Sequence, residues 1–117
     1  MAGEAPGEAL SGEELLAALG ALASPYRLRI IAALVGRRQY VSELAREIGM
    51  SRPLLHMHLR KLQAAGLIAS RLELSDDGKA MNFISLNPFR IELTPEAIAR
   101  AVATLAEGRD EGEEDAP

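Results

Sequence analysis

The sequence contains no cysteine, which excludes disulfides, thiolate metal sites and thiol redox sensing. Its only histidines are His56 and His58. At a spacing of two they lie about 200° apart on a helix, so they cannot share one ion within a subunit. The ligand chemistry of a metal site is therefore missing, and no metal or other cofactor is expected. The same scarcity leaves no nucleophile–base pair with supporting residues, and the dispersed glycines form no phosphate-binding loop, so an enzyme is not expected. No run of 18 apolar residues occurs, so no transmembrane helix and no membrane partner are expected. The acidic start MAGEAPGEALSGEE lacks the basic beginning and apolar middle of a signal peptide. A cytoplasmic location fits all of this.

The 117 residues suffice for one domain with a single core. Their net charge is −4, yet the distribution matters more than the total. Residues 24–106 hold 12 Arg or Lys against 7 Asp or Glu, an excess of five positive charges. The acid lies in the two ends. We expect a disordered N-terminal arm over 1–10, a folded domain over 11–106 and a disordered acidic tail over 107–117, EGRDEGEEDAP, which has almost no apolar content. Solubility explains these ends most simply; competition with a polyanion for a basic face is the sharper alternative.

Two helices joined by a tight turn are legible between Val41 and Leu67. Ser42 can cap the first, which carries Leu44, Ala45 and Ile48 on one face, and Gly49 can end it in a left-handed conformation. Ser51 is a second cap, with Pro53 just inside the new helix, where a missing N–H costs nothing. Leu55, Leu59 and Leu62 then form one buried stripe, and Gly66 ends the helix. This is the pattern of a helix-turn-helix. The opposite face presents Pro53, Met57, Arg60 and Lys61, flanked by Arg52, Leu54 and His56. No Asp or Glu occurs between Gly49 and Leu72. A solvated helix face usually mixes both signs; an ordinary helical hairpin is the bland alternative. One sign of charge among small and apolar groups suits a phosphate-lined groove.

The remaining elements frame that pair. Ser11-Gly12-Glu13-Glu14 fits a capping box opening a helix to Leu22. That helix is apolar on most of its circumference, through Leu15, Leu16, Leu19 and Leu22, so it needs cover on more than one side. Ser24-Pro25 opens a second helix, with Tyr26, Ile30, Ala33 and Leu34 toward the core and Arg27 and Arg29 pointing elsewhere. Arg37 and Arg38 follow in a loop, as phosphate contacts or simply as a solvated pair. Tyr40-Val41 leaves room for only a small strand. After Gly66 the period becomes two: Ile68 to Leu74, the turn Ser75-Asp76-Asp77-Gly78, and a return strand Lys79 to Leu86. A hairpin directly after such a helix is a wing, flanked by Arg71 and Lys79, which suit a phosphate or a minor groove. The two aspartates argue against deep insertion of its tip. Asn87-Pro88 breaks the strand, an extended stretch runs to Leu93, and Thr94-Pro95 caps a last, alanine-rich helix bearing Ile98, Val102 and Leu105.

This order resembles the ArsR family of bacterial winged-helix transcriptional regulators over about residues 12–106. The matching residues are Ala23-Ser24-Pro25-Tyr26-Arg27-Leu28-Arg29-Ile30, Val41-Ser42-Glu43-Leu44-Ala45, Ser51-Arg52-Pro53, His58-Leu59, and Leu62 with Ala65-Gly66-Leu67-Ile68. The resemblance implies a mainly α fold with a small β-hairpin (α+β), a winged helix-turn-helix. It implies a homodimer joined through the first and last helices, with Leu15, Leu16, Leu19, Leu22, Ile98, Val102 and Leu105 at the interface. Its partner would be double-stranded DNA carrying a pseudo-palindromic operator, usually repressed, read in successive major grooves about 34 Å apart. By the match, Arg52, Leu54, His56, Met57 and Arg60 fall where the family reads bases. Arg52 suits a guanine O6/N7 edge, Leu54 a thymine methyl and His56 a guanine N7. Ser42, Ser51, Lys61, Arg37 and Arg38 fall along the DNA backbone, and Arg60 also suits a phosphate. The chain departs from the family's metal sensors, which use a cysteine pair or a carboxylate–histidine set on the last helix. An unidentified small-molecule or protein effector stays open.

The rival reading is a winged-helix module that regulates transcription through a protein partner. Aromatic residues are 3% of the chain, which does not discriminate, because reading a duplex needs no stacking. The all-positive helix face favours DNA; the acidic ends and negative total favour the rival slightly. Charge reversal at Arg52 and Arg60 separates the two.

Overall fold

Seven large apolar side chains, Ile30, Leu34, Leu44, Leu55, Leu62, Ile68 and Ile84, are almost wholly out of solvent, and all but Ile84 come from positions that the apolar spacing singles out. The computed structural model describes residues 9–108. Its elements are α1 (Gly12–Leu22), α2 (Pro25–Ala33), β1 (Gln39–Tyr40), α3 (Val41–Ile48), α4 (Arg52–Ala64), β2 (Ile68–Leu74), β3 (Ala80–Leu86) and α5 (Pro95–Gly108). The expected arm and tail lie almost wholly outside the described residues.

Residues Ala18–Pro88 form one compact unit. Its core joins Ile30 of α2 and its C-cap Leu34, Leu44 of α3, and Leu55, Leu59 and Leu62 of α4 to Ile68 and Ile84 of the sheet. Burying one such leucine contributes roughly 1.5–3 kcal/mol, so the α4 stripe alone anchors that helix. The strands are antiparallel in the order β1-β3-β2. Gln39 pairs with Ile84 and Tyr40 with Phe83, while Ile68 to Leu74 run against Leu86 to Ala80. Gly78 takes φ 85°, the left-handed conformation that the wing turn requires. Arms of seven residues each outrun the core: Leu72 and Leu74 are 69% and 74% exposed.

Residues 9–17 and 89–108 form the second unit. Ser11 caps α1 as expected: its Oγ accepts from the Glu14 N–H, and Glu14 accepts from the Ser11 N–H at 2.9 Å. Thr94 caps α5 by accepting from the Ala97 N–H. The start of α1 meets the end of α5 closely. The Gly12 N–H donates to Thr104 Oγ1 at 2.7 Å, and a Cβ at Gly12 would lie 2.6 Å from the Ala101 carbonyl oxygen.

Three local expectations are corrected. Ser42 does not cap α3. Tyr40 is the N-cap, and its N–H donates to Glu43 Oε1 at 3.0 Å, so Ser42 sits inside the first turn. Tyr26 does not face the core; it is 45% exposed. Arg27 does not point away, because it shares the i, i+3, i+7 face of Ile30 and Leu34 and turns inward. The 87–93 stretch carries no strand pairing.

Candidate nucleic-acid interface

Helix α3, the left-handed Gly49 (φ 81°) and α4 place one face of α4 outward. Ser51 Oγ accepts from the Leu54 N–H at 3.3 Å, which leaves its hydroxyl hydrogen free to donate. The first turns of α1, α3 and α5 carry acidic residues that satisfy the positive end of the helix dipole; that of α4 carries none. The positive end of that dipole is therefore not offset by acid and favours an anion. Arg52, Pro53, Leu54, Met57, Arg60 and Lys61 are all exposed, and His56 is partly so. Among the described residues, none of Arg52, Arg60 and Lys61 forms an ion pair. The arrangement is a rigid, acid-free cationic ridge with apolar groups between the charges.

The buried face of α4 is set by an unexpected polar clasp. Arg27 donates from Nε to the Ala21 carbonyl at 2.7 Å and from Nη1 to His58 Nδ1 at 2.9 Å. Guanidinium can only donate, so Nδ1 must be the unprotonated nitrogen. Burial first, then the Arg27 and Lys61 charges, lowers the His58 pKa from its usual 6.5. His58 is 7% exposed, so it belongs to the packing of α2 on α4, one turn below the outward face.

The two loop arginines are both engaged. Arg37 lies 3.5 Å from Glu47. Arg38 forks onto Glu73, at 2.7 Å from Nη1 and 3.2 Å from Nη2, and its Cζ sits 3.8 Å from the Phe83 ring centroid. That hydrogen bond holds the Glu73 carboxyl below the usual carboxylate range. Arg71 Nε reaches the same Glu73 oxygen at 3.9 Å, and Lys79 is exposed. The register places Arg71, Glu73, Met81 and Phe83 on one face of the hairpin. Ser42 is half-buried on α3. Of the seven expected pairing residues, Leu16, Leu19, Ile98 and Val102 are exposed. Leu15 is covered within the chain, Leu22 packs on the core, and Leu105 lies beside Gly12.

Two contacts of this region escaped the sequence reading. Arg27 was detectable, because it falls three residues before Ile30. The Arg38–Glu73 pair spans 35 residues and has no local signal.

The fold and this ridge define a winged helix-turn-helix DNA-binding domain. A helix-turn-helix domain family matches residues 22–71. An uncharacterized HTH-type transcriptional regulator of Methanocaldococcus jannaschii is 34% identical over 80 residues, covering 68% of this chain and 83% of that protein. Among solved structures, a similar fold occurs in Mb0332 from Mycobacterium bovis, described as a homodimeric winged helix-turn-helix DNA-binding domain. The TM-score is 0.58 at 23% identity, over 88% of this chain and 84% of that one. It occurs also in the transcriptional repressor BigR from Xylella fastidiosa, with TM-score 0.54 at 24% identity, over 82% and 87%. The chain belongs to the family of HTH-type transcriptional regulators, and it is a DNA-binding regulator of transcription.

Proposed function

We propose that the protein is a homodimeric repressor that reads a pseudo-palindromic operator with two copies of α4. The observation that carries this reading is the acid-free, exposed face of α4 above a fixed leucine stripe. Arg52, Leu54, His56, Met57 and Arg60 read base edges from it. Ser51 and Lys61 hold phosphates beside it, and Arg71 and Lys79 contact the flanking backbone. Ser42, Arg37 and Arg38 contribute less to the backbone grip, since Ser42 is half-buried and both arginines already face carboxylates.

Pairing of two copies is supported by the apolar residues that α1 and α5 leave in solvent, Leu16 and Leu19 on one and Ile98 and Val102 on the other. The homodimeric description of the Mycobacterium bovis domain supports it too. Repression follows the description of the Xylella fastidiosa neighbour. Among the described residues no single helix is long and apolar enough to cross a membrane; a DNA-reading role supports a cytoplasmic location.

The test is footprinting on DNA upstream of the protein's own gene at two salt concentrations. Protection of a short inverted repeat, with affinity falling steeply as salt rises, supports a dimeric operator-binding regulator. Weak protection indifferent to sequence counts against it.

A further inference from the structure

Beyond Ile68 and Ile84, the outer half of the wing is held to the rest of its unit by little. β1 contributes two paired residues, Gln39 and Tyr40, and the outer half of the hairpin leaves Leu72 and Leu74 in solvent. Beside that outer half one side chain from the loop before β1 reaches both strands of the hairpin. Arg38 forks onto Glu73 of β2 and stacks on Phe83 of β3. Tyr40 packs against the same ring, with centroids 4.5 Å apart. Glu73 also lies 3.9 Å from Arg71.

We propose that Arg38 is a positioning residue: its guanidinium, forked on Glu73 and stacked on Phe83, fixes the wing against the helices so that Arg71 and Lys79 meet the flank of the duplex. This rests on the DNA-reading function proposed above. Both terminal nitrogens of Arg38 are turned to Glu73 and one guanidinium face is covered. A phosphate would have to displace a carboxylate already in bidentate geometry. The wing has no other ion pair to the loops and helices among the described residues. Loss of the fork therefore frees the outer half of the hairpin to move relative to its buried base at Ile68 and Ile84.

Glu73→Gln separates positioning from direct contact, because the two predict opposite signs. A phosphate-gripping Arg38 would be released by Glu73→Gln, so operator binding would tighten. A positioning Arg38 loses its fork, so binding weakens about threefold, the size of an exposed ion-pair coupling. Protection is then lost at the wing flank and kept over the α4 contacts. Arg38→Lys is the second arm. Lysine keeps the charge without the fork or the stack, so a positioning role predicts a loss like that of Glu73→Gln, and full activity overturns it. A third arm needs no DNA. Amide hydrogen exchange in the unbound full chain should quicken about threefold or more over 70–75 and 80–83 in both variants, with α4 unchanged. Unchanged wing exchange overturns the proposal whatever the DNA result. Quickened exchange in a chain that binds no operator overturns the DNA reading and leaves the clasp standing.

Discussion

Replacing Lys61 by Gln removes one charge from the edge of the α4 ridge without touching the core, since the side chain is exposed and unpaired among the described residues. A lysine that neutralises one phosphate contributes about 0.9 to the slope of log K against log salt. Two copies on one operator contribute about 1.8. Between 50 and 200 mM salt the wild-type advantage should therefore shrink about tenfold, from a large gap at low salt to a small one at high salt. The assay is fluorescence anisotropy on operator duplex and on a scrambled duplex of equal length. It is best run at pH 8, where His58 stays neutral even after its Lys61 neighbour is lost. The loss should be nearly equal on both duplexes, because a phosphate contact carries no sequence information. An unchanged slope, or a loss confined to the operator, refutes the assignment of Lys61 to the backbone. A slope change near 0.9 instead of 1.8 means one lysine per complex, and that counts against the homodimer.

Three further outcomes follow from the same geometry. Arg52→Ala should cost about 1–3 kcal/mol of discrimination at one base position per half-site while leaving stability within about 0.5 kcal/mol, read by operator-variant titration and urea unfolding. His58 gives a pH dependence. Its folded pKa lies below 6.5, so the unfolded chain binds that proton more readily. Stability is then full above pH 6.5 and is lost as pH falls through the folded value. Urea unfolding from pH 8 to 5, compared with His58→Gln, isolates the effect. Arg27→Met should reduce it without abolishing it, because burial is the larger cause. Gly12→Ala should destabilise the chain by about 1–3 kcal/mol from overpacking against the Ala101 carbonyl, although alanine is ordinarily the better helix former by about 0.5–1 kcal/mol; a raised melting temperature would refute the close approach.

What sequence reading reached was set by the range of the interactions. Ser11, Ser24, Ser51 and Thr94 each cap a helix as expected, because a cap is decided within three residues. The leucine stripe of α4 was legible for the same reason. The misplaced cap at Ser42 had a local remedy. Glu43 lies three residues after Tyr40, the reach-back spacing of a capping box, whereas a cap at Ser42 would put Ala45 there. For Tyr26 and Arg27 helical phase outweighs residue type: Arg27, Ile30 and Leu34 share a face, and a long side chain can end in a hydrogen bond to a buried histidine. Period-two alternation placed Leu72 and Leu74 on the same hairpin face as Ile68. The core leaves β2 after Ile68, and no residue of β2 records how far the helices extend above it. Arg38 and Glu73 meet only once the hairpin register is fixed, so their pairing belongs to tertiary structure alone.

A net charge of −4 and a polyanionic partner are reconciled by where the carboxylates are held. In the described part of the wing, Glu73 is turned to Arg38, and the Asp77 carboxylate accepts from the Ser75 hydroxyl inside the turn. On α4 there are no carboxylates at all. The field that a duplex meets at α4 is therefore positive although the chain is not. The wing tip, with Asp76 and Asp77 exposed, is repelled by the phosphates on both sides of a minor groove. Its flanks carry Arg71 and Lys79. The hairpin is thus suited to lie along the backbone and set the angle of approach, while the proposed reading of sequence falls where the acids are absent, on α4. That division makes the placement of the wing, and so the Arg38 clasp, a determinant of which groove α4 enters squarely rather than of which bases it reads there.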